Sequence, residues 1–207
     1  MFSSVKDDNF CFPIPDVLET AKLKLVPFIP ALHAEAIINS TDKDTWHYIP
    51  FGPFSSAQEF IESFYEGWIR LCPEIIWFQL FVLVLPQARH THVASHMIGL
   101  LMRYALNLPA EGGLGLRRVQ WSANVKNEGS IGLARKMGMR IEGVKRWARV
   151  LKVEKAEGSN GIATRKGDPR EECPGRDTVT LAICWDEWED EGKEQVKQCR
   201  HVKIVRI

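Results

Sequence analysis

The chain predicts an α/β (α+β) fold: a single domain in which a mixed, mostly antiparallel sheet is flanked by helices. Three observations carry this expectation. Leu116 to Arg149 passes from period-2 alternation to a capped helical segment and back to alternation, which reads as strand, helix, strand. An alternating run at Thr178 to Trp185 and an apolar run at Ile75 to Leu85 supply further strands. Two segments with wide apolar faces, beginning at Ser56 and at Val93, supply helices to cover the sheet.

At 207 residues and 45% hydrophobic the chain can bury a full core, and its length favours one domain over two. Its 27 basic and 26 acidic residues nearly cancel, so the global charge gives no argument for a nucleic acid or an anionic membrane surface. The longest apolar run is well short of the roughly 20 residues that span a bilayer. Lys6, Asp7 and Asp8 stand where a signal peptide would need its apolar segment. Cys11, Cys72, Cys173, Cys184 and Cys199 are scattered and include no C-x-x-C pair. Reduced thiols in a cytoplasmic protein, without a metal site, are the expectation.

In chain order, residues 1–18 read as an arm on the surface of a domain spanning 19–190. Lys22 to Phe28 alternates as a first strand, with Leu23 and Leu25 inward. Pro30 suits the first turn of a helix running to Asn39. Thr41 to Phe54 carries four aromatic residues without periodicity and reads first as a plug between helices, second as the lining of a pocket. Ser56 and Glu59 form a capping box for a helix whose stripe, Phe60, Ile61, Phe64, Tyr65, Trp68 and Ile69, belongs to a core. Pro73 ends that helix, and Pro86 stops the buried strand Ile75 to Leu85.

Val93, Met97, Leu100, Leu101, Tyr104, Ala105 and Leu108 recur at helical spacing. A strand that runs through a loop into a helix N-terminus offers unpaired N–H groups and the positive end of the dipole, an arrangement suited to phosphates. Val119, Trp121 and Ala123 face inward on the next strand, Asn127 caps the following helix, and Gly138 ends it. Met139, Ile141 and Gly143 then resume alternation. Ala156 to Gly175 reads as a mobile loop, and DEWEDEGKEQ after the last strand reads as a solvated tail or a short polar helix, with residues 191–207 as the C-terminal tail.

Several stretches together resemble the GCN5-related N-acetyltransferases (GNAT family), and within them the bacterial ribosomal-protein acetyltransferase branch with its fungal relatives. They are Glu19 to Leu25, Tyr48 to Pro53, Arg89 to Ala94, Asn127-Glu128-Gly129-Ser130, Gly138-Met139 and Ile141 to Val144, in the family's order. The resemblance implies a GNAT-like fold and acetyl-CoA as co-substrate. It also implies direct attack by a primary amine, of a protein N-terminus or a small molecule, on the thioester. Arg89, His90, Thr91, His92, Val93 and Ala94 would hold the pyrophosphate, with His92 standing where the family usually has glycine and so narrowing the approach.

Asn127 would bond the pantetheine arm and Ser130 would serve as acid to the thiolate; each also has a plain reading as a helix-start residue. Backbone donors at Val84 and Leu85 would face the thioester carbonyl, and Glu142 is the nearest carboxylate candidate for a base, its other reading being a solvated strand residue. Arg140, Lys145, Arg146, Arg149 and Lys152 read as a solvated strand end or as the seat of the 3′-phosphate, and nucleic acid is not the expected partner. The loop Trp46 to Phe54 and the segment Ala156 to Gly175 are expected to border the acceptor, and neither carries a charge pattern that names it.

Against the family pattern, the run ending at Val84 and Leu85 passes directly into Arg89. Roughly 25 to 40 residues, a hairpin with its turns, are absent from between them. Two functions therefore follow: an acetyl-CoA-dependent N-acetyltransferase, or a catalytically silent relative acting at most as a CoA-binding or interaction protein.

Overall fold

The computed structural model describes residues 15–70 and 82–200. Most of the expected strand Ile75 to Leu85 lies outside them, and its last four residues, 82–85, join no strand. The chain opens on two short antiparallel strands, β1 (Leu18–Thr20) and β2 (Leu23–Leu25), rather than on one strand from Lys22 to Phe28. The hydroxyl of Thr20 closes the turn between them: its Oγ accepts the N–H groups of Lys22 and Leu23, so that Lys22 belongs to the turn and the second strand starts at Leu23.

Helix α1 (Pro30–Asn39) has Pro30 in its first turn, as expected. Helix α2 (Ala57–Glu59) continues as a π-helical run, Phe60–Arg70. Its cap is split between two serines: Ser56 Oγ accepts the Glu59 N–H, and the Glu59 carboxylate reaches back to Ser55. Between α1 and α2 the aromatic loop is a plug. Trp46 is buried and meets Phe54 edge-on at 5.0 Å, while Phe60 stacks on Phe64 at 5.5 Å. Gly52 is required there, because its φ is +63° and a Cβ would sit 2.7 Å from the Trp46 ring.

The principal sheet has the order β3–β5–β4, wholly antiparallel, with β3 at Arg118–Asn124, β4 at Arg140–Val150 and β5 at Gly175–Cys184. Val119, Trp121 and Ala123 share its inner face with Val179, Leu181 and Ile183. Ile98, Met102, Ala105 and Leu106 of α3 (Val93–Leu106) pack on that face, together with Ala134 and Met137 near α4 (Glu128–Lys136). Gly138, at φ +88°, ends α4 in the left-handed conformation expected of it.

The segment after β5 is a packed element rather than a solvated tail. Helix α5 (Trp185–Glu187) runs through a π-helical turn, Trp188–Gly192, into α6 (Lys193–Arg200), and Trp188 and Val196 are both fully buried in the main core. They are eight residues apart on one face, too sparse an apolar pattern to stand out among the surrounding charges. Residues 159–174 form no helix or strand; they are tied to the sheet where Asn160 N–H donates to Gly175 O at 2.8 Å. Among the described residues, no helix is long and apolar enough to cross a membrane.

Candidate functional site

The approach to α3 is a short 3₁₀ turn, Pro86–Ala88, followed by Arg89, His90, Thr91 and His92. His90, not His92, takes the left-handed backbone, with φ +58°. His92 has φ −71° and ψ −14°, a right-handed helical conformation in which a side chain costs nothing, so the expected conflict at His92 falls two residues earlier. His90→Gly is therefore expected to raise stability by roughly 0.5–1 kcal/mol, read as a higher denaturation midpoint with an unchanged slope.

The N-cap residue His92 makes no side-chain bond, so among the described residues the first-turn N–H groups of Ala94 and Ser95 have no partner within the helix. Thr91 shapes the entry, its Oγ donating to Ala88 O at 2.6 Å and accepting from Val93 N–H at 3.3 Å. His92 Nδ1 is buried without a hydrogen-bond partner among the described residues, and its ring meets the buried His96 edge-on at 5.2 Å. This donor set, a helix start with free N–H groups and a positive dipole end, fits an oligophosphate.

Arg89 does not point at that helix start. Its Nη2 donates to Thr45 Oγ at 2.6 Å and to Asp42 Oδ1 at 3.1 Å, and its Nε to Val84 O at 3.4 Å. Hydrogen bonds from Thr45, and then the Arg89 guanidinium, hold the Asp42 carboxyl below its ordinary range. The side chain of Arg89 thus fastens the aromatic loop to the entry of α3.

Asn127 and Ser130 stand together at the start of α4. Asn127 Oδ1 accepts the Ser130 N–H at 3.0 Å, the capping bond the sequence suggests. Ser130 Oγ in turn accepts from Trp121 Nε1 at 2.9 Å. That bond spends an oxygen lone pair and leaves the hydroxyl hydrogen available, made a better donor by polarisation. Trp121 is the residue that sequence reasoning placed only in the core; its indole N–H is the feature that tells it from an aliphatic at the same position.

Glu142 lies elsewhere. It occupies the irregularity in β4 between Ile141 and Gly143 and pairs with Arg118 Nη2 at 2.5 Å, both side chains part exposed. In the register of the sheet Ile141 and Gly143 stand across β5 from Trp121 and Ser122, so Glu142 is level with Trp121, while its carboxylate joins Arg118 and, through it, Gln120 on the face away from the core. The structure therefore brings Asn127 and Ser130 together and sets Glu142 on the opposite face of the sheet from Trp121, beside an open hollow bordered by Arg117, Arg140, Cys184 and Trp185.

No protein-family model and no curated protein matches this sequence. Solved structures match it by fold. A GCN5-related N-acetyltransferase from Brucella melitensis superposes with a TM-score of 0.63 and 18% identity, over 90% of this chain and 86% of its own. A T. thermophilus protein described as an acetyltransferase gives 0.67 and 18%, over 90% of this chain and 98% of its own. A Chromobacterium violaceum protein assigned to the GNAT acetyltransferases gives 0.59 and 21%, over 85% and 90%. The chain has their fold: one α/β domain whose antiparallel sheets are flanked by helices, as its sequence predicts.

Proposed function

We propose that the chain is an N-acetyltransferase that moves an acetyl group from acetyl-CoA to a primary amine by direct attack, and that its nearest pattern is the ribosomal-protein branch with its fungal relatives. The observation that carries this reading is the start of α3, where His92 makes no cap bond and the N–H groups of Ala94 and Ser95 are open, reached through the left-handed turn at His90, in a chain with the fold of acetyltransferases. Acetyl-CoA supplies the activated thioester. Backbone N–H groups from His90 to Ala94 bind its phosphates, and Val84 and Leu85 offer backbone donors to the thioester carbonyl. The amide group of Asn127 serves the pantetheine arm, and Ser130 holds a transferable proton at Oγ. Glu142, engaged by Arg118 on the face of the sheet opposite Trp121, is set aside as the base; the amine gives up its proton to water.

A second reading, a catalytically silent relative that binds CoA or a partner, is favoured by one observation. The two charged candidates, Arg89 and Glu142, are both neutralised inside the chain, by Asp42 and Arg118. The direct run from Leu85 into Arg89, read as loss of a hairpin, points the same way.

Acetyl-CoA at millimolar concentration is expected to raise the melting temperature, since a ligand bound only by the native state adds stability, about 2.7 kcal/mol at 100 times Kd. A cooperatively melting sample with no shift would sink the acetyltransferase reading. Turnover on a panel of amines and peptide N-termini then separates enzyme from silent relative. In the active case Glu142→Gln is expected to keep kcat/KM within about threefold, whereas a loss of 100-fold or more would restore Glu142 as the base.

A further inference from the structure

One buried cation has no role in the scheme above. Arg176, on β5, is only 6% exposed, and among the described residues its Nε has no hydrogen-bond partner. Burial first, and then the charge of Arg149, push its pKa down to about 10, with no carboxylate among the causes; it remains charged at neutral pH. The adjacent carboxylate is committed elsewhere: Asp177 accepts from Trp147 N–H at 2.8 Å and from Asn160 Nδ2 at 3.0 Å. A buried, hydrogen-bonding cation left without an anion is costly, and chains rarely keep one unless something else supplies the charge.

Its surroundings say what that something meets. Residues 176, 178, 180 and 182 lie on the face of β5 opposite the core, and on that same face Thr180, also buried, has an Oγ with no partner. Arg149 is the cross-strand neighbour of Arg176, and its guanidinium lies 5.8 Å over the Phe51 ring. Lys155 donates to Trp46 O at 2.6 Å and to Phe51 O at 3.2 Å, and Asn124 Nδ2 donates to Gly158 O at 2.7 Å. The aromatic loop and the start of the segment after β4, both expected from the sequence to border the acceptor, therefore converge on the strand ends that carry the two arginines.

We infer that Arg176, with Arg149 beside it, receives an oxyanion of the acceptor molecule, a carboxylate or a phosphate, laid along the Thr180 face of the sheet. The Arg176 guanidinium offers planar, forked donors to such an anion, the Arg149 charge adds attraction, and a partly dry site strengthens each bond. Calling the ligand the acceptor rests on the acetyl-transfer reading; the anion site itself does not.

The test is calorimetric titration of the full chain with inorganic phosphate and, separately, with succinate. One of the two is expected to bind, and Arg176→Gln is expected to weaken it roughly 10- to 100-fold while melting at a higher temperature than the wild type in anion-free buffer. The anion that binds decides between phosphate and carboxylate. Wild-type protein that binds neither, or an R176Q variant that binds as well as wild type, overturns the inference; the wild-type titration does so even where the variant does not fold. Amines bearing that anion should then be acetylated with a kcat/KM at least tenfold above neutral amines in the wild type and not in R176Q. An active enzyme without that preference overturns the acceptor assignment. Arg176-dependent anion binding with no turnover of any amine counts against acetyl transfer and for the anion site.

Discussion

Trp188→Ala is expected to lower stability by about 4–6 kcal/mol, the largest single effect in the chain. The side chain is fully buried in the main core, and truncating a buried tryptophan costs about 3–5 kcal/mol. Its Nε1 also donates to Asn107 Oδ1 at 3.0 Å, and Asn107 is itself buried, so the variant leaves an orphaned acceptor worth roughly a further 1 kcal/mol or more. Trp188→Phe separates the two contributions: it keeps most of the volume, loses the bond, and should cost about 1–3 kcal/mol. Urea unfolding of both variants measures this. A cost below about 1 kcal/mol for Trp188→Ala would mean that the helices after β5 do not seal the core.

That helical segment also marks where the sequence ceases to be legible. From Arg118 to Gly138 the local signals agree with the tertiary structure, alternation for β3, Asn127 as cap and Gly138 as stop, whereas β4 forms as a strand but is exposed along its length and irregular after Ile141 and after Lys145. Such agreement lets a pattern be read from one chain alone. Around Trp188 the signal was two apolar residues in a charged run, and their burial depends on contacts with α3 and β3 that no window of sequence contains. The order β3–β5–β4 is of the same kind, since alternation marks a buried face but not a neighbour.

At the site, the residue types were legible and their partners were not. The capping bond of Asn127 follows from position alone, whereas the capture of Arg89 by Asp42 and Thr45 joins residues more than 40 positions apart. Asp42, Thr45 and Arg176 gave no sequence signal, because each looks like an ordinary surface polar residue until its surroundings are known. His90 shows a subtler difference: the resemblance marks His92 as the position where glycine is usual, whereas the left-handed φ falls on His90, because φ is set by where the preceding turn ends.

In the acetyltransferase reading, Ser130→Ala is expected to lower kcat about 10- to 100-fold with little change in the KM for acetyl-CoA, because the hydroxyl acts on the departing sulfur and not on binding. The pH dependence gives the sharper test. A thiol with an ordinary pKa of about 8.5 leaves unaided as the thiolate above that pH and benefits from a proton below it. The defect should therefore be greatest near neutrality and shrink as the pH rises past about 8.5. Ser130→Thr, which keeps a hydroxyl, should restore much of the rate. Trp121→Phe keeps the ring in the core but removes the N–H that donates to Ser130 Oγ. As a positioning residue it should give a smaller loss, a few-fold in kcat, with the same dependence on pH. A Ser130→Ala enzyme with full kcat at neutral pH would reduce the hydroxyl to the partner of the Trp121 indole. The pair would then matter only to stability, where a lost hydrogen bond of this kind costs about 1 kcal/mol.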